Sequence, residues 1–318
     1  GRSSDPWLPF FQLDWGGLGV IMAVGWSGQW EASFARPDAD ALRARAGVQH
    51  THLKLLPGES IRTPRMVMMA WEGRPVDAQN AWRRLLLAHY VPRSDGAPIT
   101  SPICCGTWGA DPADVHLAKL GQIVEHALPY DYYWVDAGWY GNCRAGMDVQ
   151  SGDWARNVGS WEVNPALYPD GMEAVSRRAH EAGMGYLLWF EPERAYEGSR
   201  LFSEHPEWLL GDGEQRLFDF GNTEARAWMT DHLSGMIERI GIDVYRNDYN
   251  IDPLPFWRAA DAPDRRGIHE IRWIEGFYAC WDALRERHPG LIIDDCASGG
   301  RVIDLETLSR SVPLWRSD

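Results

Sequence analysis

The sequence predicts an α/β protein: a partial (β/α)8 TIM barrel of about six βα units, preceded by the C-terminal part of a β-sandwich domain. Three observations lead there. After residue 102, short apolar strands alternate with helical stretches, the pattern of a parallel sheet covered on both faces. Before residue 91, short β segments are separated by turn residues. Polar side chains gather at the carboxyl ends of the later strands, where β/α barrels carry their chemistry. No Gly-rich phosphate loop follows any strand, which disfavours a nucleotide-binding doubly wound sheet.

Residues 1–90 supply the sandwich portion. Strands are expected from Phe10, from Gly19 to Trp26, from Gln29 to Phe34, from His50 to Leu55 and from Arg65 to Ala70. Arg36-Pro37-Asp38, Pro57-Gly58 and Gly73-Arg74-Pro75 read as the turns between them. Asp77 to Tyr90 predicts a helix with Asp77 as its cap. Residues 91–101, rich in Pro, read as a linker into the barrel portion, 102–318.

In the barrel portion, strands are expected at Ile103–Trp108, Asp131–Asp136, Met184–Glu191, Asp243–Tyr249, Leu291–Cys296 and Val312–Arg316. Helices fall between them: 112–127 capped by Asp111, 171–182 ending at Gly183, 222–240, 268–288 stopped by Pro289-Gly290, and a short one at 305–310.

Composition narrows the function. The chain of 318 residues is 45% hydrophobic and 24% charged, a globular balance. A formal net charge of −14 argues against nucleic-acid binding, which wants basic patches. The longest apolar run near the start is far too short for a membrane span, so no membrane partner is expected. Five cysteines without a CxxC make a disulfide framework or zinc site a poor reading, and the default compartment is reducing, cytoplasmic. Eighteen tryptophans supply flat faces for cores and for stacking on sugars.

The stretch from Gly241 to Asn250 organises the rest. Period two places Arg246, Asp248 and Asn250 on one side of a strand that enters as apolar backbone. A carboxylate there, flanked by a cation and an amide, is a candidate nucleophile; the plain alternative is a structural Arg–Asp pair. The other strand ends offer Trp108, Asp136, Trp189 with Glu191 and Glu193, Asp294-Asp295-Cys296, and Arg316 with Asp318. Acids and indoles on one rim suit a neutral polyol. These strand ends lack His and a close acid cluster, so neither a metal nor a cofactor is expected. Glycoside hydrolysis needs two facing carboxylates, one ionised and one protonated. Asp318 suits the acid by its apolar approach through Leu314-Trp315, and reads equally well as an exposed terminal residue.

Taken together, the motifs resemble glycoside hydrolase family 36, the α-galactosidases or melibiases. They are Trp134-Val135-Asp136-Ala137-Gly138-Trp139, Gly159-Ser160-Trp161-Glu162-Val163, Trp189-Phe190-Glu191-Pro192-Glu193 and Cys296-Ala297-Ser298-Gly299-Gly300-Arg301. The resemblance covers essentially all of 1–318. It implies Asp248 as the nucleophile of a retaining reaction and Asp318 as its acid/base. Trp108, Asp136, Trp161, Arg246, Asn250, Cys296 and Gly299 fall where that family holds a galactose-like ring.

Three departures bear on the sugar, one of them in the segment Gly211 to Phe220, where many members of that family place a further Arg and this chain offers Arg216. Ala137 stands where the family has a second Asp, and Arg246 where it has Lys; Arg keeps the charge and changes the donor geometry. The expected activity is hydrolysis of terminal α-galactoside-like residues through a glycosyl–Asp intermediate. An α-N-acetylgalactosaminidase, a raffinose-synthase-like transglycosidase and a non-catalytic carbohydrate-binding fragment stay open as alternatives. The expected partner is an oligosaccharide or glycoside. The barrel lacks two units of eight, so the chain is expected to be a fragment, and a homo-oligomer is one way to cover its open edges.

Overall fold

The computed structural model describes residues 1–94 and 96–317. Its N-terminal part holds β1 (Phe10–Asp14), β2 (Leu18–Gly25), β3 (Trp30–Asp38), β4 (Ala41–Val48), β5 (Arg65–Glu72) and α1 (Pro75–His89). Strands β1, β2 and β5 form an antiparallel sheet in the order β1-β2-β5, and β3 and β4 form a separate ribbon. The sequence reading ended β3 at Phe34 and omitted β4. Arg36-Pro37-Asp38 lies inside β3, and the chain reverses at Ala39-Asp40 instead.

The barrel part comprises β6 (Cys104–Thr107), α2 (Ala113–Glu125), β7 (Tyr132–Val135), α3 (Glu173–Glu181), β8 (Gly185–Phe190), α4 (Thr223–Ile240), β9 (Val244–Asp248), α5 (Ile268–Arg287) and β10 (Ile292–Cys296). The five strands make one parallel sheet in the order β10-β9-β8-β7-β6. Every strand lies beside its successor in the chain. A doubly wound sheet reverses its strand order at a switch point; sequential order is how β/α barrels are built. Among the described residues the sheet is not closed.

Local signals set the helices. Asn222 caps α4 by accepting from the N–H groups of Glu224 and Ala225, and Gly241 ends it at φ 75°, a left-handed turn that favours glycine. Gly183 follows α3 in the same way at φ 78°. Two predicted caps are corrected. Helix α1 starts at Pro75, whose missing N–H is an orphan of the first turn anyway, so Asp77 lies inside it and pairs with Arg74 at 2.8 Å. Asp111 is drawn to Lys119 Nζ at 2.6 Å, and Pro112 occupies the cap position of α2.

The predicted sixth strand is also corrected, since 312–316 forms no strand. Val312 donates one backbone hydrogen bond to Ile293 O at 2.8 Å, alongside β10. Pro313 then has no N–H to continue a ladder, and the Leu314 N–H goes to the Asp294 side chain at 2.8 Å. A small antiparallel sheet (Arg194–Tyr196, Leu209–Leu210, Gln215–Phe218), absent from the sequence reading, fills the connection from β8 to α4.

The two parts share buried contacts. Leu305 of the barrel part packs with Ile21, Ala23, Trp71 and Trp82. The buried Glu306 carboxylate forms ion pairs with Arg62 at 2.6 Å and Arg65 at 3.2 Å from one part and accepts a hydrogen bond from Arg310 at 2.8 Å from the other. A buried carboxylate is stable only with such partners. No helix among the described residues is long and apolar enough to cross a membrane.

Candidate active site

Strand register assembles the site. Trp189 of β8, Arg246 of β9 and Asp294 of β10 lie side by side, and Asp248 lies beside Cys296 one layer nearer the carboxyl ends. Neighbours in register share a face of a sheet, so these side chains point to one interior. Asp294 shares this face, and Asp295, by alternation, points to the other.

Arg246 is the buried cation of this layer. Its Nη1 meets Asp294 at 2.5 Å, its Nε lies 3.7 Å from Asp136, and its guanidinium sits 4.3 Å over the Trp134 ring. Burying one unpaired ion costs several kcal/mol; two carboxylates and an aromatic face offset that here. Its Nε makes no hydrogen bond. The Asp136 side chain is 31% exposed, and burial pushes its carboxyl up to about 6 against the pull of Arg246.

Asp248 accepts two defined hydrogen bonds, from Trp189 Nε1 at 2.9 Å and from the Ser298 N–H at 3.1 Å. Burial alone would raise its pKa. The Arg246 charge and donation from Trp189, Cys296 and the Ser298 backbone outweigh that, holding the carboxyl below its ordinary value. Asp248 is thus an anion with its oxygens aimed by two fixed donors.

Asn250 joins this network. Its Oδ1 accepts from Ser298 Oγ at 2.6 Å, while its backbone N–H and Nδ2 reach Glu191 at 3.3 and 3.4 Å. Cys296 is fully buried beside Asp248, with its Sγ accepting the Gly299 N–H at 3.4 Å. Gly299 has φ 88° and Ser298 φ 48°, so the loop after β10 turns back over the strand end through left-handed residues. Trp108, half-buried, donates to Met147 O and meets Trp154 edge-on at 6.3 Å; Trp154 in turn meets Trp189 at 5.5 Å. Trp161 is placed differently: it is fully buried against Tyr140, Trp139 and Trp189, behind the rim. Asp318, the predicted acid/base, lies outside the described residues.

Trp154 and the Ser298 N–H were missing from the predicted set, and Trp189 was placed at the rim without a role. Trp189 carried a usable signal, being in register with Arg246. Ala137 is buried and apolar and offers the site no polar side chain. Arg216 lies over the Phe202 ring at 4.3 Å. Among the described residues no group of three or more His, Cys, Asp or Glu is placed to hold a metal ion.

Glu191 and Glu193 are fully buried supports. Glu191 meets Arg194 at 2.5 Å, and Glu193 accepts from Asn247 Nδ2 at 2.6 Å. Burial pushes them up to about 7 and about 8, and Glu270, which binds Trp26 Nε1 and the Gln29 N–H, to about 7. All three rise above the ordinary 4.5. Between roughly pH 4.5 and 8 the folded chain therefore holds protons that the unfolded chain has released, and stability falls as pH rises through that window. Asp248 has the opposite sign, but its effect lies at lower pH. The melting temperature is expected to fall from about pH 6.5 to about pH 8, above the range where the lowered His116 and His232 act in the opposite sense; a rise over that range would contradict the assignment.

A sequential parallel sheet with acids and indoles at its carboxyl ends is built as in the β/α-barrel class. The chain belongs to the Melibiase family, whose model matches residues 60–318. Among its relatives, alpha-galactosidase 1 of Pediococcus pentosaceus is 25% identical over 336 residues, covering 100% of this chain and 45% of that protein. Alpha-galactosidase AgaA of Geobacillus stearothermophilus is 25% identical over 274 residues, covering 83% and 36%. The crystal structure of a variant of that GH36 enzyme with stachyose matches 98% of this chain and 44% of its own, with TM-score 0.83 and 22% identity. The α-galactosidase of Lactobacillus brevis matches 98% and 43%, with TM-score 0.79 and 24% identity. The chain spans a little under half the length of the first relatives it matches.

Proposed function

We propose that this chain carries the nucleophile half of a retaining α-galactosidase-type site, with Asp248 as the nucleophile. The observation behind this is the setting of that carboxylate: aimed by Trp189 Nε1 and the Ser298 N–H at the carboxyl end of β9, with the Arg246 charge favouring its ionised form. In the reaction, an Asp248 oxygen attacks the anomeric carbon as its bond to the leaving oxygen breaks. Asp318 gives its proton to that oxygen, then takes one from the water that releases the sugar. The Asp318 role rests on the family resemblance. The Arg246 Nε–H, buried without an acceptor, and the partly exposed Asp136 are groups a sugar hydroxyl would satisfy.

By the same reading, residues 1–90 are the C-terminal part of a β-sandwich, 91–101 a linker, and 102–318 the barrel portion. The substrate class is α-galactosyl oligosaccharides, in keeping with the stachyose and raffinose in structures of relatives. Ala137 favours a second reading of the sugar, since it withdraws a carboxylate from the hydroxyl-binding side and suits a glycone other than plain galactose.

A panel of aryl α-glycosides, read by NMR for the first sugar anomer formed, tests both. Release of α-galactose or α-N-acetylgalactosamine is expected. First release of the β anomer, or turnover of β-glycosides alone, would overturn the reading.

A further inference from the structure

The first residues of the chain run across the back of the loops that aim Asp248. Arg2 is only 8% exposed. Its Nη1 donates to Tyr249 O at 3.1 Å and to Asn250 O at 3.4 Å, the two residues after Asp248. Its Nη2 pairs with Asp5 at 2.9 Å. Ser4 grips the other loop three times: its N–H donates to Arg301 O at 3.0 Å, its Oγ donates to Gly300 O at 2.7 Å, and the Ile303 N–H donates to its Oγ at 2.7 Å. Ser3 Oγ donates to the buried Asp304 at 2.8 Å, and the strap is tied down by Trp30 Nε1 donating to Ser3 O at 2.5 Å.

Both gripped loops end on the nucleophile. The 297–301 loop carries the Ser298 N–H that binds Asp248 and the Ser298 hydroxyl that binds Asn250. Ser298 itself is a non-glycine residue at φ 48°. Such a conformation is strained for a residue with a side chain and persists only where its surroundings enforce it. Ser4 holds the carbonyls two and three residues further on, while Arg2 holds those of the opposing loop.

We propose that the Arg2-Ser3-Ser4 segment is a positioning strap for Asp248, fixing the β9 and β10 loops so that the Ser298 N–H stays on its carboxylate. Arg2 and Ser4 are positioning residues; they touch backbone, not the reacting atoms. The inference rests on the reading of Asp248 as nucleophile, yet its geometry has a readout of its own.

Loosening the strap removes a donor from the charged carboxylate, so Asp248 should hold its proton to higher pH. The groups facing Asp248 are Arg246 from its own strand, Trp189, Glu191 and Glu193 from β8 and its end, Asp136 beyond β7, and Asp294 and Cys296 from β10. The strap touches none of these side chains, so their contribution stays constant across the variants.

The test follows carbodiimide modification of Asp248, which requires the protonated carboxyl, by peptide mass spectrometry against pH. It compares the wild type with Arg2→Ala, Arg2→Lys and Ser4→Ala in an enzyme carrying this whole chain, with turnover of an aryl α-galactoside measured alongside. The strap predicts that the labelling midpoint moves up by about one pH unit in Arg2→Ala and less in Ser4→Ala, with partial return in Arg2→Lys. It also predicts kcat falling about tenfold or more with KM little changed. Unmoved midpoints in folded Arg2→Ala and Ser4→Ala would overturn the strap. Should Arg2→Ala fail to fold, Ser4→Ala decides alone. A wild type that labels as expected but turns over no glycoside would instead defeat the proposed function and leave the strap standing.

Discussion

Replacing Asp248 by Asn is expected to lower turnover on the order of 10⁴-fold or more while the fold persists. The amide keeps the shape of the carboxylate and loses the lone-pair anion that attacks the anomeric carbon. It also meets two donors, Trp189 Nε1 and the Ser298 N–H, with only one accepting oxygen. One of them loses its partner, and Arg246 loses one of the anions around it. The cost to stability should stay near 1–3 kcal/mol, the penalty of a single unmet buried group. Steady-state kinetics with an aryl α-galactoside and a denaturant midpoint check the two halves. Turnover at the wild-type level would eliminate Asp248 as the nucleophile.

The largest expected effect on stability comes from Arg246→Met. It leaves Asp294, fully buried and paired at 2.5 Å, without its cation. Removing one partner of a buried ion pair costs about 3–5 kcal/mol, because the other charge stays in a poor solvent. Trp134 loses the guanidinium over its face as well. Arg246→Lys keeps a charge but has no second arm to lie toward Asp136 while it reaches Asp294, so it should fall between. The double change Arg246→Met with Asp294→Leu should regain most of the loss, since an apolar pair of similar volume is often as stable as the ion pair. Denaturant unfolding of the four proteins measures this. A cost for Arg246→Met of less than about 1 kcal/mol would show that the pair does not hold the barrel interior together.

Much of the site was legible because strands have a fixed period. Alternation alone placed Arg246 and Asp248 on one face, and the resemblance then grouped Asp136, Asn250, Cys296 and Gly299 with them. The structure brings those residues around a single carboxylate. What escaped were contacts that sequence does not encode locally. Trp189 reads as a rim indole, and only the structure shows that its N–H meets Asp248. Ser298 acts through its backbone, which any residue possesses. Arg2 reaches Tyr249 and Asn250 across nearly 250 residues of chain.

Other misses had visible signals. Pro313 within a proposed strand removes a ladder donor and should have counted against it. Arg36-Pro37-Asp38 looked like a turn, but an exposed ribbon tolerates Pro at its edge, so β3 ran on and β4 went unread. Trp161, placed near the sugar by resemblance, packs against Trp189, which binds Asp248.

The central claim is that the Asp248 carboxylate attacks the sugar, and covalent capture tests it most directly. A fluorinated α-galactosyl donor with a good leaving group would be incubated with the active enzyme and digested for peptide mass spectrometry. Fluorine slows release of the sugar more than its attachment, so the ester should accumulate. The account predicts one added glycosyl unit on the peptide carrying Asp248, absent in Asp248→Asn. A glycosyl ester on another carboxylate, or none in an enzyme that hydrolyses the unfluorinated donor, would contradict it.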